Sequence, residues 1–174
     1  MDIAIVGLSL RLPNDINNLE DLYNRLKNKI DCITEHPDDR FHKESYYDEE
    51  NSIGKMNTKR AGYLNDVYDF DNSFFKVSNK EARTTDPQQR IMLELVYEAL
   101  QNGHISLDEC KNTNTGVFVG CCNTEYFSKQ TENGEFCNDY SLPGGLLTLL
   151  SNRISYFYDF KGPSMTVDTA CSSS

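Results

Sequence analysis

The apolar positions of this chain fall into short runs separated by long polar stretches. "DIAIVGLSL" opens with one such run, Ile3 to Val6, followed by Gly7. A short apolar run before a glycine predicts a buried strand ending in a tight turn. In "NNLEDLYNRLKNKI", Leu19, Leu22, Tyr23, Leu26 and Ile30 recur at i, i+3, i+4, i+7 and i+11. That spacing predicts a helix with one apolar face, capped by Asn17 or Asn18. "TEHPDDRFHKESYYDEENSIGK" is polar and charged, and is expected to be a long surface loop. "AGYLNDVYDFDNSFFKVS" mixes aromatics with Asp and Asn, which predicts an ordered, partly buried excursion.

"TTDPQQRIMLELVYEALQNGH" carries the strongest local signal. Asp86 stands at an N-cap, Pro87 at N1 and Gln89 at N3, the arrangement of a capping box. Ile91, Leu95 and Ala99 share one helical face, with Met92, Val96 and Leu100 beside them. Asn102-Gly103 predicts the stop, with Gly103 free to take φ > 0. His104, just past that end, is placed to interact with the last carbonyls. "TGVFVG" predicts a second buried strand, Val117 to Val119, between Gly116 and Gly120. "GGLLTLLSNRISYFYDF" predicts another helix, Lys161-Gly162-Pro163 a turn and "SMTVDTA" a third strand. The order strand, helix, excursion, helix, strand, helix, strand implies an α/β layered fold.

The 174 residues fit one domain. A net charge of −10 argues against nucleic acid as the main partner, because phosphate binding needs clustered Lys and Arg. No apolar stretch of about 18 residues is present, so no membrane span is expected. The N-terminus lacks a basic region and no N-x-[ST] sequon occurs, so a cytoplasmic, reducing setting is expected. The six cysteines are Cys32, Cys110, Cys121, Cys122, Cys137 and Cys171. There is no C-x-x-C pair, and adjacent Cys121 and Cys122 on a strand point to opposite faces. No metal site is expected, and most of these thiols should pack as small hydrophobes. His36 and His42 lie in the polar stretch and are expected to be solvated.

Cys171 closes the chain in "VDTACSSS". A strand followed by a turn of small residues is a place to mount a nucleophile, and Ala170 and Ser172 permit such a turn. Taken alone, "TACSS" fits a buried structural cysteine better than a nucleophile.

The segment "DTACSSS" resembles the active-site segment of β-ketoacyl synthases, in particular the ketosynthase domain of polyketide synthases. "IAIVGLSLRLP" is similar to the family's opening strand. The stretch from "YDEENSIGK" through "FF", "S-x-x-E-A" and "DPQQR" resembles its long excursion and the helix after it. "TGVFVG" and "SNRISYFYDFKGPSMTVDTACSSS" continue in the family's order, so the resemblance runs from Asp2 to Ser174. Departures are Pro143-Gly144 and Thr148 ahead of Asn152-Arg153, where the family usually has Thr-Gly and Ser. Another is Ala61-Gly62, in place of paired glycines.

The resemblance implies a thiolase-like α/β fold, a duplicated unit of which residues 1–174 are an incomplete N-terminal half of one ketosynthase domain, with no second domain. It implies that Cys171 takes an acyl group from an acyl carrier protein as a thioester, its own N–H serving the oxyanion. A malonyl-type extender would then lose CO₂ and condense with that thioester. No cofactor is implied on the chain itself; the acyl groups ride on the carrier protein's phosphopantetheine. A homodimer is implied for the complete domain. The family also uses two histidines, in "H-G-T-G-T"-like and "N-x-G-H"-like motifs C-terminal to the cysteine. Neither motif occurs here, and none of His36, His42 and His104 is assigned to catalysis. On this reading the chain stops before the helix that follows the cysteine, and by itself it is expected to be inactive. The alternatives are a truncated remnant, a partner-binding ketosynthase-like protein, or part of a fatty-acid synthase ketosynthase.

Overall fold

The computed structural model describes residues 2–40, 42–50, 52–132 and 138–173. It divides into two units: residues 9–67, and residues 1–8 with 68–174. Cys137 lies outside the described residues.

In the unit of residues 9–67, helix α1 spans Leu19–Lys27. The Asn18 side chain accepts the Asp21 N–H, so Asn18 is the N-cap. The helix stops before Ile30. Lys29 turns left-handed at φ 53°, its N–H reaching Leu26 O, and the Ile30 N–H reaches Arg25 O. That is a Schellman end built without glycine. Leu19, Tyr23 and Leu26, the expected apolar face, are exposed. The polar stretch is more ordered than a loop. Strand β1 (Thr34–Glu35) pairs antiparallel with β2 (Arg60–Ala61), and a turn of helix, α2 (Lys43–Tyr46), lies between them in sequence. Lys43 reaches Glu35 at 3.3 Å and Asp38 at 3.7 Å. His42 is exposed at the head of α2, as expected. His36 is not solvated: it is buried edge-on to Tyr63, with ring centroids 5.1 Å apart.

The other unit holds helices α3 (Asn79–Thr84), α4 (Pro87–Asn102), α5 (Leu107–Cys110), α6 (Glu125–Glu132), α7 (Ser141–Gly145) and α8 (Thr148–Tyr158). Strand β3 (Val117–Gly120) runs parallel to β4 (Ser164–Val167), Val117 opposite Ser164 and Gly120 opposite Val167. Val117 and Val119 face inward and Phe118 outward, as period-2 alternation requires. Helix α8 packs on both strands and on α4. The core between them is Phe75, Leu93, Val117, Val119, Leu150, Ile154 and Tyr158. The aromatic excursion closes it: Phe75 lies 5.1 Å from Phe70 and 4.9 Å from Phe157, and Phe74 lies 5.0 Å from Tyr97, ring centre to ring centre. The Tyr158 hydroxyl donates to Leu93 O at 2.8 Å, and burial pushes its pKa well above the ordinary tyrosine value.

Two sequence expectations fail here. Residues 3–6 form no strand: Ile3 is 93% and Ile5 85% exposed. Apolar character makes a strand only where another strand supplies hydrogen bonds, and this segment's anchor is a single bond from the Leu8 N–H to Asn102 Oδ1. At the end of α4, Gly103 keeps φ −79° and His104 takes φ 56°. The His104 N–H bonds Gln101 O and the Ile105 N–H bonds Leu100 O, so the cap is made by backbone. Gly103 is needed for proximity instead, since a Cβ there would sit 2.8 Å from Val6 O.

Replacing Ile154 with Ala should cost about 2–5 kcal/mol, because the site is enclosed and cannot collapse freely. Tyr158→Phe should cost about 1 kcal/mol, the worth of one hydrogen bond whose acceptor stays satisfied within α4. Urea denaturation of both variants checks the order; equal midpoints would mean that α8 is not seated on α4 as described.

Candidate active site

Parallel strands β3 and β4 end together, and their carboxyl edge is where α/β folds place ligands. From that edge β4 hands the chain to Asp168–Ser173. Asp168 Oδ1 accepts the Ala170 N–H at 3.0 Å. Ala170 is left-handed at φ 54°, a conformation that costs a residue with a Cβ on the order of 1 kcal/mol. A short 3₁₀ turn, Ala170–Ser172, follows. Its polar groups are satisfied locally: the Thr169 N–H donates to Ser173 Oγ (2.9 Å), Ser172 Oγ to Thr169 O (2.9 Å) and Ser173 Oγ to Ala170 O (2.8 Å). The result is a stiff loop that carries the Cys171 thiol outward, exposed. Cys171 is thus exposed in this structure, where a packed structural thiol would be buried.

The support beneath this edge is polar and buried. Gln89, the N3 residue of α4, does not turn back to complete a capping box. Asp86 caps α4 by accepting the Gln88 N–H at 2.8 Å, while the Gln89 side chain points into the protein. Its amide nitrogen donates to Gly144 O (2.9 Å), Pro143 O (3.1 Å) and Leu146 O (3.4 Å). Its amide oxygen accepts Arg153 Nε at 2.9 Å, and Arg153 also donates to Glu81 at 2.6 Å. The backbone of α7 comes so close to α3 that a Cβ on Gly144 would lie 2.2 Å from Thr84 O. Gln88 Nε2 donates to Asn123 O (3.2 Å) just past β3, and the Cys121 thiol donates to Gln88 Oε1 (3.0 Å). In sequence, "DPQQR", "S-x-x-E-A" and "SNR" show capping and family likeness but not that Gln88, Gln89, Glu81 and Arg153 hydrogen-bond beneath this edge.

The five described cysteines are free thiols. Cys110 is buried, and burial pushes its thiol up in pKa. Cys32 and Cys121 are half-buried, whereas Cys122 and Cys171 are exposed and do not pack as small hydrophobes. His104 stands exposed just past the C-terminal end of α4, and His36 and His42 lie in the unit of residues 9–67. Among the described residues no cluster of three or more His, Cys, Asp or Glu is arranged to hold a metal ion. No described helix is long and apolar enough to cross a membrane.

Residues 1–174 match the family model for the β-ketoacyl synthase N-terminal domain. The chain is 44% identical to polyketide synthase 37 of Dictyostelium discoideum over 172 residues, 99% of this chain and 6% of that protein. It is 41% identical to fusarin C synthetase of Gibberella moniliformis over 174 residues, 99% of this chain and 4% of that one. Among solved structures, an oxazolomycin ketosynthase domain of Streptomyces albus superposes with a TM-score of 0.87 at 36% identity, covering 98% of this chain and 29% of that chain. The ketosynthase of module 6 of the bacillaene synthase of Bacillus subtilis gives a TM-score of 0.80 at 31% identity, covering 98% and 27%. The fold is thus thiolase-like, and the chain belongs to the β-ketoacyl synthase family, as a ketosynthase N-terminal domain of the polyketide synthase type. It spans under a tenth of the curated relatives' length and under a third of the solved ketosynthase chains.

Burial raises the pKa of Asp86 above its ordinary value, against the opposing hydrogen bonds from Gln88. A raised carboxyl pKa means that the folded state holds the proton more tightly. This group's contribution to stability is therefore present at low pH and lost as pH rises from about 4 through the raised value. Asp86→Asn keeps the capping oxygen and should remove that slope. Thermal melts of both proteins from pH 3.5 to neutrality check it, and parallel curves would show that Asp86 titrates normally.

Proposed function

We propose that Cys171 is the acyl-accepting nucleophile of a polyketide-synthase ketosynthase, and that these residues build its thioester site. The observation that carries the reading is the exposed Cys171 thiol on a strained, internally bonded turn at the carboxyl edge of β3 and β4. The family match across residues 1–174 supports it. The Cys171 thiolate attacks the carbonyl carbon of an acyl thioester on the phosphopantetheine of an acyl carrier protein. The C–S bond to Cys171 forms, the carrier's C–S bond breaks, and the departing carrier thiolate takes up a proton. The developing oxyanion is met by the Cys171 N–H. A malonyl-type extender, also carrier-bound, then loses CO₂; its carbanion attacks the acyl carbon, and Cys171 leaves as thiolate. The product is a β-ketoacyl chain two carbons longer. Splitting the reaction at a covalent intermediate replaces one hard step by two easier ones.

His36, His42 and His104 take no part in this scheme. The complete ketosynthase is proposed to act as a homodimer.

Incubation of the full-length protein with a butyryl thioester of N-acetylcysteamine should add one butyryl mass to the peptide containing Cys171. Cys171→Ala should abolish that addition and Cys122→Ala should leave it intact. Butyryl transfer to the Cys171→Ala protein at the wild-type rate would overturn the assignment.

A further inference from the structure

The carboxyl edge is held by two adjacent side chains on one helical turn. Gln88 grips the exit of β3, through Asn123 O and the Cys121 thiol. Gln89 grips the α7–α8 junction, through the carbonyls of Pro143, Gly144 and Leu146. The next residue in that junction, Leu147, accepts the Thr166 hydroxyl at 2.8 Å. The same oxygen lies 3.1 Å from Ser151 Oγ, on a serine with no exposed surface. Thr166 sits in β4, two residues before Asp168, whose carboxylate fixes the turn that carries Cys171. Hydrogen bonds thus tie Arg153 to Gln89, Gln89 to the junction at Leu146 and Thr166 to the junction at Leu147, and the backbone of β4 carries the connection on from Thr166 to the base of the nucleophile loop.

The donor–acceptor inventory fixes the orientation of the Gln89 amide. Arg153 can only donate, so the amide oxygen must face it, and the carbonyls can only accept, so the amide nitrogen must face them. Burial makes any other orientation costly, because a desolvated polar group would lose its partner. The junction therefore has one position rather than several.

Resting on the reading of Cys171 as an acyl acceptor, we propose that Gln89, Arg153 and Thr166 are positioning residues for its loop, and that Gln88 registers the neighbouring strand exit against it. None of the four is a catalytic residue. They act by holding the strained Ala170 turn where the thiol meets an incoming carbonyl, and small misplacements of a reacting group are costly to rate.

The relay is tested at Thr166, whose half-buried side chain carries no charge. In the full-length protein, Thr166→Val should lower the maximal rate of butyryl transfer to Cys171 from butyryl-N-acetylcysteamine about tenfold, with unchanged KM. Thr166→Ser, which keeps the hydroxyl, should restore it. Gln89→Glu keeps the acceptor for Arg153 but turns an oxygen toward the three carbonyls, and should reproduce the Thr166→Val loss. Amide hydrogen exchange over residues 168–173 should quicken in Thr166→Val and return to wild type in Thr166→Ser. A maximal rate unchanged in Thr166→Val, or a loss that Thr166→Ser does not restore, overturns the relay. If the wild-type protein takes up no butyryl group, the functional reading fails and loop exchange decides the relay: quickened in Val and restored in Ser upholds it, and any other pattern ends it.

Discussion

One buried amide organises the larger unit. Gln89 is almost fully enclosed, yet its side chain has donors and an acceptor that water cannot reach. Leaving any of them unmatched would cost on the order of 1–3 kcal/mol, and leaving Arg153 without a carboxylate nearby would cost more. The surrounding chain therefore has to arrive in one arrangement: α7 with its carbonyls inward, α8 with Arg153 on the inner side, and α3 with Glu81 beside it. Hydrophobic burial supplies most of the driving force for folding but little direction. The amide supplies direction. Its satisfaction and the packing of Leu93, Ile154 and Tyr158 are requirements on the same helices, α4 and α8.

The aromatic cluster does a different task. Phe70, Phe74 and Phe75 belong to an irregular segment with no ladder to hold it, and they fasten it by their rings to Tyr97 on α4 and Phe157 on α8. The segment leads directly into α3, which contributes Glu81. Ring packing and the polar network thus meet at the same helices, the former tolerant of small shifts and the latter not.

Much of this was written in local pattern. Asp86-Pro87 announced the start of α4, "TGVFVG" and "SMTVDTA" gave the two strands, and "GGLLTLLSNRISYFYDF" gave the helix that is α8. What local pattern missed depends on neighbours. Ile3 to Val6 has the composition of a strand but no ladder. The left-handed residue after α4 fell on His104, because Gly103 was taken by its approach to Val6. Gln89 at N3 has the right spacing for a capping box, and spacing cannot reveal that three carbonyls and a guanidinium, more than fifty positions away, compete for the same side chain. Cys171 was visible as a residue and ambiguous as a role; in the structure its thiol is exposed next to the left-handed Ala170, neither of which local pattern announces.

The grip on the α7–α8 junction reads main-chain oxygens. Such a contact is blind to what side chains those residues carry. Gly144 has no room for one, but Pro143 and Leu146 accept the Gln89 hydrogen bonds through atoms that every amino acid possesses. Substitutions at those two positions can therefore reshape the local surface while the scaffold beneath stays anchored. The position of this segment is thus set through its main chain, and the side chains at 143 and 146 are not what Gln89 reads.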